Sequence, residues 1–350
     1  MRKYRTLIII VIALAAAAVV LLFTNRRNTL KSERSEFAIN DTSSVTKIYM
    51  ADMQGNEVLL QKQSPSHWTL NNNLTARQEG VEMLLSTMSK LAVKAPVPRA
   101  SYNTVIKRLA STSVKVEIYQ QKYRVNLFNN IKLFPHEKLT RTYYVGSATP
   151  DNQGSFMLKA GSDTPFVVYL PGFKGYVSAR FTAYASDWRD HTIFAKRPAE
   201  ISKITLEFPQ EPAQSYTLEK PNATQVILKP ADSNVPINNY DTARVIEFFN
   251  AFRNIRFEVA FQEIATAHKD SILAQTPLHR ITLTDTTGVS RTITTYRRGN
   301  LDLQEDFEGN LLPYDLDRLY ALLPENNELV IVQYFVFDPI TRPLSWFNKE

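Results

Sequence analysis

An apolar helical stripe that occurs twice constrains this chain more than any other feature. Val81, Leu84, Leu85, Met88 and Leu91 recur 164 positions later as Val245, Phe248, Phe249, Phe252 and Ile255, with the same internal spacing. Positions i, i+3, i+4 and i+7 line one face of a 3.6-residue helix, so each segment carries a stripe that must be covered. The flanks repeat as well. Lys47-Ile48-Tyr49-Met50 and Lys203-Ile204-Thr205-Leu206 open the two halves. Glu57–Gln61 and Trp68–Leu70 follow in the first half, Tyr216–Glu219 and Gln225–Leu228 in the second. Their alternation and β-branched or aromatic content predict strands.

After each stripe come Leu91-Ala92-Val93 and Ile255-Arg256-Phe257, then shorter helical segments at Tyr102–Leu109 and Gln262–Leu273. Val114–Tyr119 and Arg280–Thr284 return to strand, and Asp52–Gly55 and Asp285–Gly288 are turns between alternating runs. The offset drifts from 156 at Ile48 and Ile204 to 165 at Val116 and Ile281, as small loop insertions produce. The pattern predicts an α+β fold: one unit used twice, giving two similar lobes of mostly antiparallel sheet with covering helices. The lobes are expected at 45–197 and 198–340, with Pro198 at the boundary and 341–350 as a tail. Tyr314–Leu323 is expected as a late helix and Val330–Phe337 as a final buried strand.

Residues 141–194 have no evident counterpart and are expected as a strand-rich insert in the first lobe. Five of the ten glycines lie between Gly146 and Gly175, which points to tight turns. Phe173, Lys174, Tyr176, Arg180, Trp188 and Arg189 cluster here. Trp and Arg are frequent interface anchors, so these six form the candidate partner surface. The alternative is a structural corner, with the aromatics buried and the arginines paired to Asp187 or Asp190.

Upstream of the lobes, Leu7 to Phe23 is an uninterrupted apolar run of 17 residues. With Thr24 it reaches the length needed to span a bilayer. Residues 1–24 are expected as a transmembrane signal anchor and 25–44 as a polar linker. A cleaved signal peptide is the rival, with Ala15–Ala18 as the cleavage region; the apolar run past the alanines favours the anchor. Arg2, Lys3 and Arg5 precede the run and Arg26, Arg27, Lys31 and Arg34 follow it, so the positive-inside count is nearly tied. The short basic tail has the form of a signal n-region, which favours a C-terminal part outside the cytoplasm.

The net charge of +7 does not indicate a nucleic-acid partner. The first 36 residues hold seven basic side chains against Glu33 and Glu36, which leaves +2 for the remainder. That basicity would meet lipid headgroups rather than a phosphate backbone. The chain has no cysteine, which excludes disulfides, Cys-ligated zinc, Fe–S clusters and thiol catalysis. No HExxH, GxSxG, Walker A or GxGxxG motif is present. Asp187, Asp190 and His191 would share one face of a helix and could ligate a metal, but the adjoining Trp188 and Arg189 argue for a salt-bridged corner. Gly172-Phe173-Lys174-Gly175 matches the GxxG of a KH loop in spacing alone. Asp302, Glu305, Asp306 and Glu308 lack the order of an EF-hand and suit a solvated loop. No catalytic residue, metal or cofactor is therefore expected.

The combination of an N-terminal anchor, Val45-Thr46-Lys47-Ile48, Trp68-Thr69-Leu70, the Val81–Leu91 helix, Val116–Tyr119, the Pro171–Phe181 turn and Asp187-Trp188-Arg189-Asp190 resembles the bacterial family called domain of unknown function 4340. The resemblance spans roughly residues 40–340 and rests on packing and turn patterns. It implies a membrane-anchored envelope protein without assigned enzymatic activity, and some members occur with components of ABC-type transporters linked to gliding motility. It supplies no catalytic residues.

The expected function is that of a non-catalytic, single-pass protein of the bacterial inner membrane. Residues 7–24 would sit in the bilayer, the lobes on the periplasmic side, and other envelope or membrane proteins would be the partners. One alternative is a periplasmic protein holding a small ligand or glycan in a cleft between the lobes. Another is a metal-assisted envelope enzyme using Asp187, Asp190 and His191.

Overall fold

The computed structural model describes Leu14 and residues 37–127, 131–222, 224–233, 235–261, 264–301, 303–325 and 327–349. The expected anchor and most of the linker lie outside the described residues. Among the described residues, no helix is long and apolar enough to cross a membrane. The chain divides between Asp190 and His191 into two units, seven residues before the boundary expected at Pro198.

The first unit runs β1 (Val45–Ala51), β2 (Glu57–Ser64), β3 (His67–Leu70), β4 (Leu74–Thr75), α1 (Gln78–Lys90), β5 (Ala92–Pro96) and α2 (Arg99–Thr112). It continues with β6 (Val114–Leu127), β7 (Ile131–Ala148), β8 (Ser155–Lys159), β9 (Phe166–Tyr169) and the short α3 (Ala185–Trp188). Its sheet has the order β4-β3-β2-β1-β6-β7-β8-β9-β5, antiparallel throughout. The predicted stripe of α1 is realised: Val81, Leu84, Met88 and Leu91 are buried with Ile48, Met50, Leu60, Val116 and Ile118 of the sheet. Successive strand residues point to opposite faces. Tyr143, Met157 and Phe166 therefore join the α1 side, while Tyr144, Phe156 and Val167 pack under Val105 and Leu109 of α2 on the other. Helices thus cover both faces of β7–β9.

The second unit runs β10 (Thr192–Phe194), β11 (Ile201–Glu207), β12 (Tyr216–Glu219), β13 (Ile227–Pro230), α4 (Thr242–Ala251), β14 (Ile255–Arg256) and β15 (Val259–Ala260). Then come α5 (Thr266–Leu273), β16 (His279–Asp285), β17 (Ser290–Gly299), β18 (Tyr314–Leu323), β19 (Glu328–Gln333) and α6 (Tyr334–Phe337). Its main sheet has the order β13-β12-β11-β16-β17-β18-β19-β15, again antiparallel, and β10 pairs separately with β14. Apart from β4, this is the strand order of the first sheet. Details agree too. The ladder bulges at Val45/Lys47 and at Ile201/Lys203. Ile39 N–H donates to Met88 O at 3.0 Å, as Lys196 N–H does to Phe252 O at 2.9 Å. Arg77 N–H donates to Trp188 O at 2.7 Å, as Asp241 N–H does to Phe347 O at 2.8 Å.

Four expectations are corrected. Tyr314–Leu323 is strand β18, not a helix. Leu319, Ala321 and Leu323 enter the core beneath α4, while Tyr320 and Leu322 pack against α5 on the other face. A strand buried on both faces has no polar side, so its apolar residues mimic helical spacing. The expected last strand Val330–Phe337 ends at Gln333, and Tyr334–Phe337 is a helical turn. The expected insert at 141–194 is largely the sheet itself: β7, β8 and β9 hold the places that β17, β18 and β19 hold in the second unit. Finally, the positional counterpart of β5 is β15, which pairs with the last sheet strand; β14 pairs with β10 instead.

Candidate functional site

The first unit carries an open groove of about 870 Å³ beside the end of β9. One wall is the turn that follows Tyr169 and Leu170. Phe173 N–H donates to Leu170 O at 3.0 Å, with Gly172 at φ +80° between them. Gly175 sits at φ +153°, and a Cβ placed there would come within 2.7 Å of the Phe173 ring. A side chain at this position would push the ring from its seat. The turn is then pinned to β8, where Ser155 Oγ accepts from Val177 N–H at 3.1 Å and Ser178 N–H at 3.0 Å.

Arg180 braces this wall from behind. Its guanidinium donates to Thr87 Oγ1 of α1 at 2.7 Å and lies 4.7 Å from the Phe173 ring centroid. The cation over the ring face holds the aromatic in place. Phe173 and Tyr176 nevertheless remain 41% exposed. The opposite wall is the turn between β8 and its neighbour β7. Asp151 accepts from the Thr149 hydroxyl at 2.5 Å and from Gln153 N–H at 3.2 Å. The Thr149 hydroxyl, and then the Gln153 amide, hold the Asp151 carboxyl below its usual range, and nearby Lys94 acts in the same direction. Lys94, on edge strand β5, pairs with Asp151 at 3.5 Å. The groove thus offers two exposed aromatic rings, one carboxylate, two lysines and the amides of Asn152 and Gln153. Such a lining suits recognition of a chain segment or small molecule.

The structure splits the predicted residues into two groups. Phe173, Lys174 and Tyr176 line the groove, and Arg180 supports it. Trp188 is 4% exposed, its indole N–H donates to Thr182 O at 2.9 Å, and it belongs to the core. Arg189 is half-buried at a β-bridge to Ala76. Trp188 thus has the buried place that the structural-corner reading gives the aromatics. Sequence reasoning missed Lys94, Asp151 and Tyr169. Asp151-Asn152-Gln153-Gly154 has turn composition, but nothing in linear spacing joins it to residue 94 or 173. Only the return of β5 to pair with β9 does so.

The metal constellation is not formed as expected. The short helix ends at Trp188 and Arg189 is extended, so Asp187, Asp190 and His191 do not share a helical face. Asp187 accepts from the Thr182 hydroxyl at 2.8 Å, and the His191 ring stacks on Phe257 at 4.3 Å. Among the described residues, no group of three or more His, Asp or Glu side chains could hold a metal ion. Asp306 instead closes its own loop, accepting from Glu308 and Asn310 N–H at 2.9 Å each.

A family model described as "Domain of unknown function (DUF4340)" matches residues 68–275, more than half of the chain. No curated protein and no solved structure matches.

Proposed function

The chain belongs to the DUF4340 family, and on that footing we propose that it is a non-catalytic, membrane-anchored cell-envelope protein that docks a partner protein in the groove of its first unit. Residues 7–24 hold it in the bacterial inner membrane, with both units on the periplasmic side. The two units descend from one duplicated unit, a reading supported by their common strand order and their matching ladder bulges. The observation that carries the docking reading is the pair Phe173 and Tyr176: exposed aromatics on a turn fixed by Ser155, Arg180 and the backbone of Gly175. Aromatics already held rigid in the free protein lose little entropy on binding. The family resemblance makes a membrane complex of the ABC-transporter type the natural partner.

The test is a photo-crosslinking residue in place of Lys174 in the intact chain, in cells. One discrete membrane-protein adduct is expected. Replacing Phe173 and Tyr176 by Ala should weaken that adduct on the order of tenfold or more, as loss of interface anchors does. An adduct pattern unchanged by the double replacement would remove the groove from the interface.

A second reading is favoured by the groove's size, which falls in the range of small-ligand sites. In that case a glycan or similar polar ligand stacks on Phe173 and Tyr176. Quenching or shift of ring resonances by soluble envelope glycans, with no protein adduct at position 174, would select it.

A further inference from the structure

The connection between β17 and β18 is longer than its counterpart in the first unit. That counterpart, between β7 and β8, is the short turn 149–154 that forms one wall of the groove. In the second unit the chain from Gln304 to Leu316 builds a hairpin of its own. Glu305 forms a β-bridge with Leu311, and Leu312 N–H donates to Gln304 O at 2.9 Å. At the turn, Asp306 N–H donates to Asn310 O at 2.9 Å, and Gly309 takes φ +82°. The base is fixed twice. The Gln304 side chain accepts from Leu316 N–H at 2.9 Å and donates to Asp317 at 3.0 Å. Buried Asp315 pairs with Arg298 and accepts from Asp317 N–H at 2.8 Å and Arg318 N–H at 3.0 Å.

This fixed hairpin shows an apolar tip to solvent. Phe307 is wholly exposed, Leu311 is 61% exposed and Leu316 62%. Large apolar side chains grouped on an exposed surface mark an interaction site. Two exposed carboxylates, Glu305 and Glu308, flank Phe307. The other carboxylates of this stretch are engaged within the unit: Asp306 by Asn310, Asp315 by Arg298 and Asp317 by Gln304. Arg297, on the adjoining strand, lies over the Tyr314 ring at 4.9 Å. The complement of such a tip is a cleft with an apolar floor and a cationic rim.

The groove of the first unit has that composition. Phe173 and Tyr176 furnish the rings, Lys94 and Lys174 the cations, and Asp151 is already paired with Lys94. An aromatic side chain buries roughly 150–250 Å² when it docks. A groove of about 870 Å³ has room for the Phe307 ring and the turn that carries it.

We infer that the Gln304–Leu316 hairpin of one copy docks in the first-unit groove of a second copy, with Phe307 against Phe173 and Tyr176 and with Glu305 and Glu308 toward Lys94 and Lys174. The inference rests on the groove being a protein-docking site and names its occupant; the copies meet in this way within the membrane complex proposed above. The contact is head-to-tail. It leaves a free groove on one copy and a free hairpin on the other, so further copies add as a row or a ring.

The absence of cysteine makes the test direct. Two differently tagged full chains, one carrying K174C and the other E308C, are purified, mixed in mild detergent and oxidised. Because the two cysteines sit on different chains, the linkage reports contact between copies alone. A disulfide-linked dimer of the two tags is expected, well above the yield of E308C mixed with D163C, a position in the turn at the far ends of β8 and β9. Adding Phe307→Ala to the E308C chain should lower the yield on the order of tenfold, as loss of an interface anchor does. Glu305→Lys should lower it too, and high salt should weaken the parent contact. A mixed dimer no more abundant than the D163C control, or a yield indifferent to Phe307→Ala, overturns the inference. The photo-crosslink at Lys174 then separates the two readings. An adduct with a different protein leaves the groove a docking site and removes only the second copy from it, whereas the lack of any adduct removes both.

Discussion

The second unit should lose stability as pH falls from about 6.5 toward 4, and one residue accounts for the window. His279 opens β16 and is 8% exposed. Its Nδ1 lies 3.0 Å from Thr295 Oγ1, and the Phe208 ring meets it edge-on at 5.1 Å. Burial, reinforced by the charge of Arg297, pushes its pKa down to about 4. The unfolded chain protonates near 6.5. Between these values the unfolded state binds more protons than the native state, so stability rises with pH across the window and is lost on acidification. The full effect is about 3 kcal/mol below pH 4 and about 2 kcal/mol at pH 5. That is a large share of the ~5–15 kcal/mol that typically holds a domain.

The assay is urea unfolding at pH 7.5 and pH 5 of the full chain and of His279→Gln. Trp346 is the one tryptophan of the second unit, so a background with Trp68 and Trp188 replaced by Phe reports that unit alone. Glutamine keeps a partner for the Thr295 hydroxyl and does not titrate. The parent should lose about 2 kcal/mol more than the variant between the two pH values. Carboxylates common to parent and variant, among them Asp338, which burial raises, cancel in that difference. Asp285 is held well below its usual range by the Thr287 hydroxyl and Lys196, so its contribution fades only below about pH 4. Equal pH dependence in parent and variant would refute the buried neutral imidazole.

Two further outcomes separate packing from recognition. Trp188→Ala should cost about 3–5 kcal/mol of first-unit stability, because it empties a core position, whereas Phe173→Ala should change stability by less than about 1 kcal/mol and act only on binding; thermal unfolding of both variants decides. Gly175→Ala should displace the Phe173 ring from Arg180 and cost about 1–2 kcal/mol, read as a lower first-unit melting temperature together with loss of the Lys174 crosslink.

How much of this was legible in the sequence follows from how each element is buried. The stripes of α1 and α4 face one core each, so their periodicity survives in the residues and both helices were predicted. β18 is covered by α4 on one side and α5 on the other; that erases the alternation that marks a strand. The groove was half legible. Its aromatic turn stands out in composition, but Lys94 and Asp151 are placed by a sheet closure that no local pattern encodes. Trp188 and Arg189 adjoin the groove turn in sequence and not in function, since residue type alone cannot tell a buried anchor from an exposed one.

The extension of β6 and β7 was hidden for a different reason. Val114–Tyr119 alternates cleanly, but Gln120-Gln121-Lys122 breaks the apolar alternation, so the local pattern does not carry the strand on to Leu127. The comparison that exposes it is between the two units. Where their strand order agrees, the residues serve the fold. They depart at β4 and at the β10–β14 pair, and in three connections: the β6–β7 extension at 121–138, the turn at 171–176 where the second unit passes straight from β19 into α6, and the connection at 300–313 between β17 and β18. Under the duplication we propose, such departures were free to take on contacts with other molecules, since the strand order common to both sheets forms without them. The proposed groove is built on one such departure, whose Phe173 and Tyr176 are exposed, and the 300–313 connection exposes Leu301, Leu303, Phe307 and Leu311 as well. A truncation that shortens the β6–β7 extension to the Thr284–Ser290 pattern of the second unit should therefore leave the first unit folded, with stability changed by less than about 1 kcal/mol in a urea titration.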